Sequence, residues 1–234
     1  MKEFLSKNKS IIKYGVIALN VIFFTVLAII NYKYLSIEPI KINLKFTLSS
    51  IFFIHGLINF GYLYLINEKN KLSKLFILLG LFSSLIGDIA IYYNFIVGAI
   101  FFGTAHILYV ISYMLINKFK LKDLYFILPL FVVCASVLLF SKLIKFNDPT
   151  MKLVSLVYSL VISIMVGKAI SSMFTKFTKF SLVVCIASIL FLTSDIMLVL
   201  DLLQLKEWAF VLTGALYFPA QSIFAISLII NNEE

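Results

Sequence analysis

Eight long apolar runs, separated by short connectors, take up almost the whole of this chain. They span Ile12 to Ile30, Leu44 to Ile66, Leu75 to Tyr93, Phe95 to Ile116, Leu124 to Leu143, Leu153 to Met173, Phe180 to Leu203 and Trp208 to Ile230. A helix crossing ~30 Å of hydrocarbon needs roughly 20 mostly apolar residues, and each run supplies about that many. Barrel strands alternate apolar and polar positions over ~10 residues; these runs are apolar all round and predict helices. With 62% hydrophobic and 13% charged residues in 234, the chain carries more apolar surface than a soluble domain of this length can bury. The expected fold is all-α: a polytopic integral membrane bundle of about eight transmembrane helices forming a single domain, residues 1–234. The first run follows Lys2, Lys7, Lys9 and Lys13 as a secretion signal would. It is too long for one, and no small-residue cleavage pattern follows it, so a retained helix is expected.

The net charge of +9 does not mark a nucleic-acid binder, because the basic residues sit at helix ends and all are lysines, without the bidentate fork of Arg. They report orientation instead. Counting connectors alternately places Lys2, Lys7, Lys9, Lys13, Lys69, Lys71, Lys74, Lys118, Lys120, Lys122, Lys168, Lys176 and Lys179 on the N-terminal side. Lys33, Lys41, Lys45, Lys142, Lys145, Lys152 and Lys206 fall on the other. Cytoplasmic sides are enriched in Lys, so both termini are expected in the cytoplasm, with the chain in a bacterial-type cytoplasmic membrane. Cys134 and Cys185 lie in apolar runs with no CxxC spacing, which argues for small packing residues rather than a disulfide or zinc site. Aromatic residues, 16% of the chain, are expected mainly on lipid-facing surfaces.

Polar residues inside the runs carry the functional information. An Asp at the centre of a membrane helix costs ~2.5–3.5 kcal/mol on insertion scales. Asp88 and Asp195 nevertheless stand several residues inside the third and seventh runs, whereas Asp201 lies near a helix end beside Lys206 and Glu207. One such Asp is explained as readily by a bundle-locking hydrogen bond as by function. Two in matching surroundings favour a site. Each is followed in the next helix by a Gly and, three residues on, a polar ring: Gly103 and His106, then Gly214 and Tyr217. This pattern suggests a four-plus-four repeat of parallel halves, about 1–122 and 123–234. Gly103, His106 and Val110 share one helical stripe with Tyr109 on its flank, and Gly214, Tyr217 and Gln221 form another. The hairpins lead one to expect Asp88 against the His106 stripe and Asp195 against the Tyr217 stripe, both carboxylates opening on a common cavity. His55, Asn59 and Tyr62 are read as packing or lining.

Several of these stretches are similar to the YhhN family of membrane lysoplasmalogenases. The run from Phe95 through Gly98, Phe102 and His106 to Tyr109, preceded by Ser84-Leu-Ile-Gly87-Asp88, resembles the family's signature. Val157-Tyr158 through Met165, Phe191-Leu-Thr-Ser194-Asp195 and Tyr217-Phe-Pro-Ala220-Gln221 resemble its later elements in order and spacing, from the third helix onward. Near the second helix the family often has Lys-Pro where this chain has Lys45-Phe46.

The resemblance implies hydrolysis of the vinyl ether of a lysoplasmalogen to a fatty aldehyde and glycerophosphoethanolamine or glycerophosphocholine. No cofactor is expected, and no metal, since His55, His106 and the aspartates lack a recognisable metal-ligand spacing. Two carboxyl groups in a low-dielectric setting suit that chemistry as an acid and a base or stabiliser, in the manner of glycosidases. Asp88 and Asp195 are therefore the expected catalytic pair, either one serving as the acid. His106, Tyr109, Tyr217 and Gln221 are expected to orient water and the glycerol oxygens, and the resemblance adds Tyr158 and Ser194 as substrate-binding residues. The expected partners are the lipid substrate and the bilayer, not nucleic acid. Two other classes fit the buried acids: a proton-coupled transporter, and a non-catalytic lipid-binding protein whose polar groups only lock the bundle.

Overall fold

The structure, a computed structural model, describes residues 9–35, 42–66, 70–140, 148–202 and 207–231. Within them the chain is all-helical: α1 (Lys9–Leu35), α2 (Ile42–Ile66), α3 (Lys71–Tyr93), α4 (Phe95–Ile116), α5 (Leu124–Phe140) after a 3-10 turn (Leu121–Asp123), α6 (Pro149–Thr175), α7 (Lys179–Leu202) and α8 (Glu207–Ser227). Seven are long and apolar enough to cross a membrane; in α1 the described apolar stretch, Tyr14–Ile30, is shorter. The chain is thus a multi-pass helical membrane protein. The expected helix ends at Leu143 and Leu203 lie outside the described residues, as do the connector lysines Lys2, Lys7, Lys41, Lys69, Lys142, Lys145 and Lys206.

Short-range chemistry sets the connectors. Asn94 alone separates α3 from α4. Its backbone N–H closes α3 on Ala90, while its side chain accepts from the backbone N–H groups of Ile96 (2.9 Å) and Val97 (3.1 Å), satisfying donors that every helix start leaves open. Asp148 caps α6 through Thr150, with Pro149 in the first turn. Thr178 and Ser181 bond reciprocally at the start of α7, as in a capping box.

Helix neighbours recur between the two halves of the chain. The pairs α3–α4, α1–α2 and α2–α3 have counterparts in α7–α8, α5–α6 and α6–α7, and the cross-pair α4–α6 has one in α8–α2. The outer helices break the pattern. Among the described residues α1 packs on both α2 and α8, whereas α5 rests on α6 and the turn before it. Half of the most apolar stretch of α6 and of α8 is buried inside the protein, against 17% for α5. Many aromatic residues are exposed, among them Tyr14, Phe46, Tyr93, Tyr125, Phe140 and Phe174, while Phe52, Phe102, Tyr109, Phe191, Phe218 and Phe224 are buried in the core. In a bundle surrounded by lipid, burial alone gives no drive between helices, and large flat rings supply the dispersion contact that does.

Two lysines counted as orientation markers are in fact buried. Lys74 donates to the carbonyls of Ser227 (2.7 Å) and Ile230 (2.8 Å) and lies 3.9 Å over the Phe180 ring, capping the end of α8. Lys168 donates to the carbonyl of Lys118 (3.0 Å) beyond the end of α4 and pairs with Asp123 at 2.8 Å.

Close helix contact falls on glycine. A Cβ on Gly98 would sit 2.6 Å from Cα of Ile91, and one on Gly167 would sit 2.8 Å from Cα of Ile127. In both places the obstacle is backbone, which cannot rotate away. Gly98→Ala and Gly167→Ala are each expected to lower stability by about 1–3 kcal/mol through overpacking. Gly61, with nothing within 4 Å, should instead tolerate Ala or gain up to ~1 kcal/mol from helix propensity. Thermal unfolding in detergent, comparing the three variants, checks this order.

Candidate active site

Helices α2, α3, α4, α6, α7 and α8 bring their intramembrane polar residues into two clusters. The first surrounds Asp88, which is 2% exposed. Its Oδ2 accepts from Ser49 Oγ and Tyr217 Oη, both at 2.6 Å, and its Oδ1 lies 3.3 Å from Lys45 Nζ. Lys45 and Ser49 stand one turn apart at the start of α2, so both side chains leave the same face. Tyr109 and Gln221 extend this cluster beside Tyr217. Tyr109 Oη donates to Gln221 Oε1 at 3.0 Å, and its ring stacks on Phe224 with centroids 4.1 Å apart.

The second cluster surrounds Asp195. Tyr158 Oη donates to its Oδ2 at 2.6 Å, and His106 Nε2 lies 2.7 Å from the same hydroxyl and 3.6 Å from the carboxylate. The hydroxyl proton is committed to Asp195, so His106 Nε2 carries the hydrogen that Tyr158 oxygen accepts. The imidazole is fully buried, edge-on to Phe191 at 4.6 Å and to Tyr158 at 5.2 Å. Its Nδ1 has no hydrogen-bond partner among the described residues.

The carboxylates are therefore paired crosswise to the expectation. Asp88 meets Tyr217 of α8 rather than the His106 stripe, and Asp195 meets His106 of α4 rather than the Tyr217 stripe. The tight α3–α4 hairpin is the reason. Gly80 lies under the Tyr109 ring, Ser83 donates to Phe101, and a Cβ on Gly87 would meet the Phe102 ring at 3.2 Å. The face of α3 toward α4 is thus made of small residues, and Asp88, ~100° further around the helix, turns to α2 and α8.

Nor do the two acids share one cavity. A cavity of about 200 Å³ lies between α4, α5, α6 and α7, with Asp195, Tyr158, Ser155 and Ser159 as the polar groups of its lining. Asp88 is not part of that lining, and its oxygens are already occupied. An aromatic layer separates the clusters: Phe191 packs edge-on against Tyr217 (5.3 Å) and His106 (4.6 Å), and Phe102 against Tyr217 (5.9 Å) and Phe191 (6.2 Å). Both acids lie within about two turns of the C-terminal ends of α3 and α7.

Ser194 joins neither cluster, because its hydroxyl donates back to Phe191 of its own helix at 2.7 Å. His55 and Asn59 bind Asn20 of α1 (2.7 and 2.8 Å), Asn59 also reaches the Ala225 carbonyl of α8 (2.8 Å), and Phe23 stacks on His55. Tyr62 is buried in the same helix. These residues tie α1 and α8 to α2, in line with a packing role. Ser49 was not singled out from the sequence. The signal for it was present, since Lys45, Ser49, Phe52, His55 and Asn59 recur at helical spacing on one face of α2. No group of three His, Cys, Asp or Glu residues close enough to share a metal ion occurs among the described residues.

Fold and site together define a helical membrane protein with an aspartate inside each of two apolar helices, Asp88 buried and Asp195 beside an apolar cavity. The YhhN family profile matches residues 43–228, from the start of α2 to the end of α8, and the chain belongs to that family. The match thus reaches one helix further toward the N-terminus than the resemblance, leaving α1 outside. No curated protein and no solved structure matches the chain.

Proposed function

We propose that this protein is a lysoplasmalogenase-like ether hydrolase working within the membrane, with Asp195 as its acid. Membership of the YhhN family is consistent with such a hydrolase. The observation that carries the reading is the position of Asp195: among the described residues it is the one carboxyl group lining an otherwise largely apolar cavity, held by Tyr158 and His106.

In this mechanism the protonated Asp195 gives its proton to the β-carbon of the vinyl ether. The double-bond electrons form the new C–H bond, and the ether oxygen shares the positive charge left on the α-carbon. The Asp195 carboxylate, a few ångströms from that charge, stabilises it and then takes a proton from the water that adds to the α-carbon. The hemiacetal collapses when its hydroxyl proton moves to the glycerol oxygen, releasing aldehyde and glycerophospholipid headgroup. Tyr158 holds the carboxyl through its hydroxyl, and His106 fixes Tyr158. Asp88, whose oxygens are all engaged, acts as a positioning residue that orients Tyr217 behind the Phe102–Phe191 layer. Tyr109 and Gln221 support Tyr217 from the other side.

Purified protein in detergent, incubated with a 1-alkenyl lysophospholipid, is expected to release free aldehyde, and the saturated 1-alkyl analogue to release none. Absence of aldehyde at all substrate levels overturns the reading, and uptake of the lipid into sealed vesicles without product would support the transporter class.

A further inference from the structure

We infer that the cavity in front of Asp195 is a subsite for a single hydrocarbon chain, filled sideways from the bilayer through the gap between α5 and α7. The inference rests on the proposed hydrolase reading for the identity of the bond placed at Asp195, but the binding of the chain can be measured without turnover.

Three observations carry it. The first is how α5 is held. At its start Asp123 pairs with Lys168 and accepts from Ser171, and Ile127 packs against Gly167 at backbone distance. Pro129 then removes one intrahelical hydrogen bond, and among the described residues α5 packs mainly on α6 and the turn before it. Its counterpart α1 closes the equivalent place by packing on α8.

The second is the exposure of the rim. Val133 and Val137 of α5 are 62% and 49% exposed, and Ile196 of α7 is 45% exposed, yet all three line the cavity. They belong to spans long and apolar enough to cross the membrane, so what stands before them is hydrocarbon.

The third is the chemistry inside. Among the described residues no lysine lines the cavity, so that lining offers a phosphate headgroup no countercharge. Ser159 donates to its own helix at Leu156, which leaves Asp195, Tyr158 and Ser155 as the polar groups of the lining. A void of about 200 Å³ is comparable to the ~150 Å³ cavities that take one benzene-sized guest; it accepts part of one chain and excludes a second. A single-chain ether lipid thus places its chain in the cavity and its first polar bond at Asp195.

The test uses a saturated 1-O-alkyl lysophospholipid, which the enzyme cannot cleave, carrying a diazirine midway along its chain. After irradiation of the protein in lipid nanodiscs, peptide mapping locates the inserted label. Label concentrated on Val133, Cys134, Val137, Leu192 and Ile196 supports the subsite. With unlabelled 1-alkyl lysolipid at about ten times its Kd, roughly nine-tenths of that label should disappear, while label on the exposed α1 residues Val21 and Ile29 stays. Label spread evenly over exposed faces, or cavity label that the competitor leaves in place, overturns the inference. Because the probe is not turned over, cavity label without aldehyde release in the catalytic assay removes the reaction and keeps the subsite. Aldehyde release without cavity label does the reverse.

Discussion

Asp195→Asn is expected to abolish aldehyde release while leaving the bundle as stable as the parent. The amide keeps an oxygen that can accept from Tyr158 but has no acidic proton to give, so the loss reflects removal of general-acid catalysis, on the order of 10²–10⁴-fold. Its side chain borders the cavity and is 15% exposed, so no fully buried charge is stranded by the change. Asp88→Asn should behave in the opposite way. Asp88 collects Ser49, Tyr217 and Lys45, and the amide meets donors on every side. It should lose about 1–3 kcal/mol of stability from unsatisfied buried groups, with a smaller fall in turnover that follows the displacement of Tyr217. Turnover rates from aldehyde release, set beside unfolding midpoints for both variants, separate the two roles. Parental activity in Asp195→Asn would sink the assignment of the acid.

The two acids were legible in the sequence because a charge at bilayer depth is costly and therefore stands out. The helices were legible because eight apolar runs admit no other element. The partners of each acid were not. Sequence spacing shows that Asp88 and His106 lie on adjacent helices of one hairpin, but whether they face each other depends on a rotation of ~100° about the helix axis. Packing of Gly80, Gly87 and Gly98 decides that rotation. Ser49 escaped notice because a lone Ser is common in membrane helices, and only its burial beside Asp88 gives it meaning. The lysines misled in a different way. Counting them as cytoplasmic markers treats each as solvated, whereas Lys74 and Lys168 are among the most buried side chains of the protein. Helix neighbours recur between the two halves of the chain, a pattern that reaches the two acids. It gives a physical reason for the crosswise pairing: each acid, on the third helix of its half, meets the fourth helix of the other half.

Lys168→Met should produce the largest loss of stability of any single substitution considered for this protein. Both members of the Lys168–Asp123 pair are 1% exposed, and their charged atoms are 2.8 Å apart. Lys168 Nζ also holds the Lys118 carbonyl at 3.0 Å, while Asp123 accepts from Ser171 Oγ at 2.5 Å and from the Lys120 N–H at 2.9 Å. Methionine matches the length of the stem and removes only the charge, leaving Asp123 ionised and without a counterion. Breaking a buried pair in this way costs about 3–5 kcal/mol, whereas replacing both partners by apolar groups is often near neutral. The double variant Lys168→Met with Asp123→Leu should therefore recover most of the loss, giving a coupling energy that two independent sites could not show. Equilibrium unfolding in mixed detergent measures all three proteins. A loss below ~1 kcal/mol in the single variant would mean that the pair behaves as a solvated surface bridge, contrary to its burial. The consequence reaches the cavity, because this pair and the Ile127–Gly167 contact anchor the start of α5. When the ammonium is gone, α5 should be the first helix to loosen, visible as faster amide exchange over residues 124–140 than in α6, and the chain subsite should weaken before the polar clusters around Asp88 and Asp195 are disturbed.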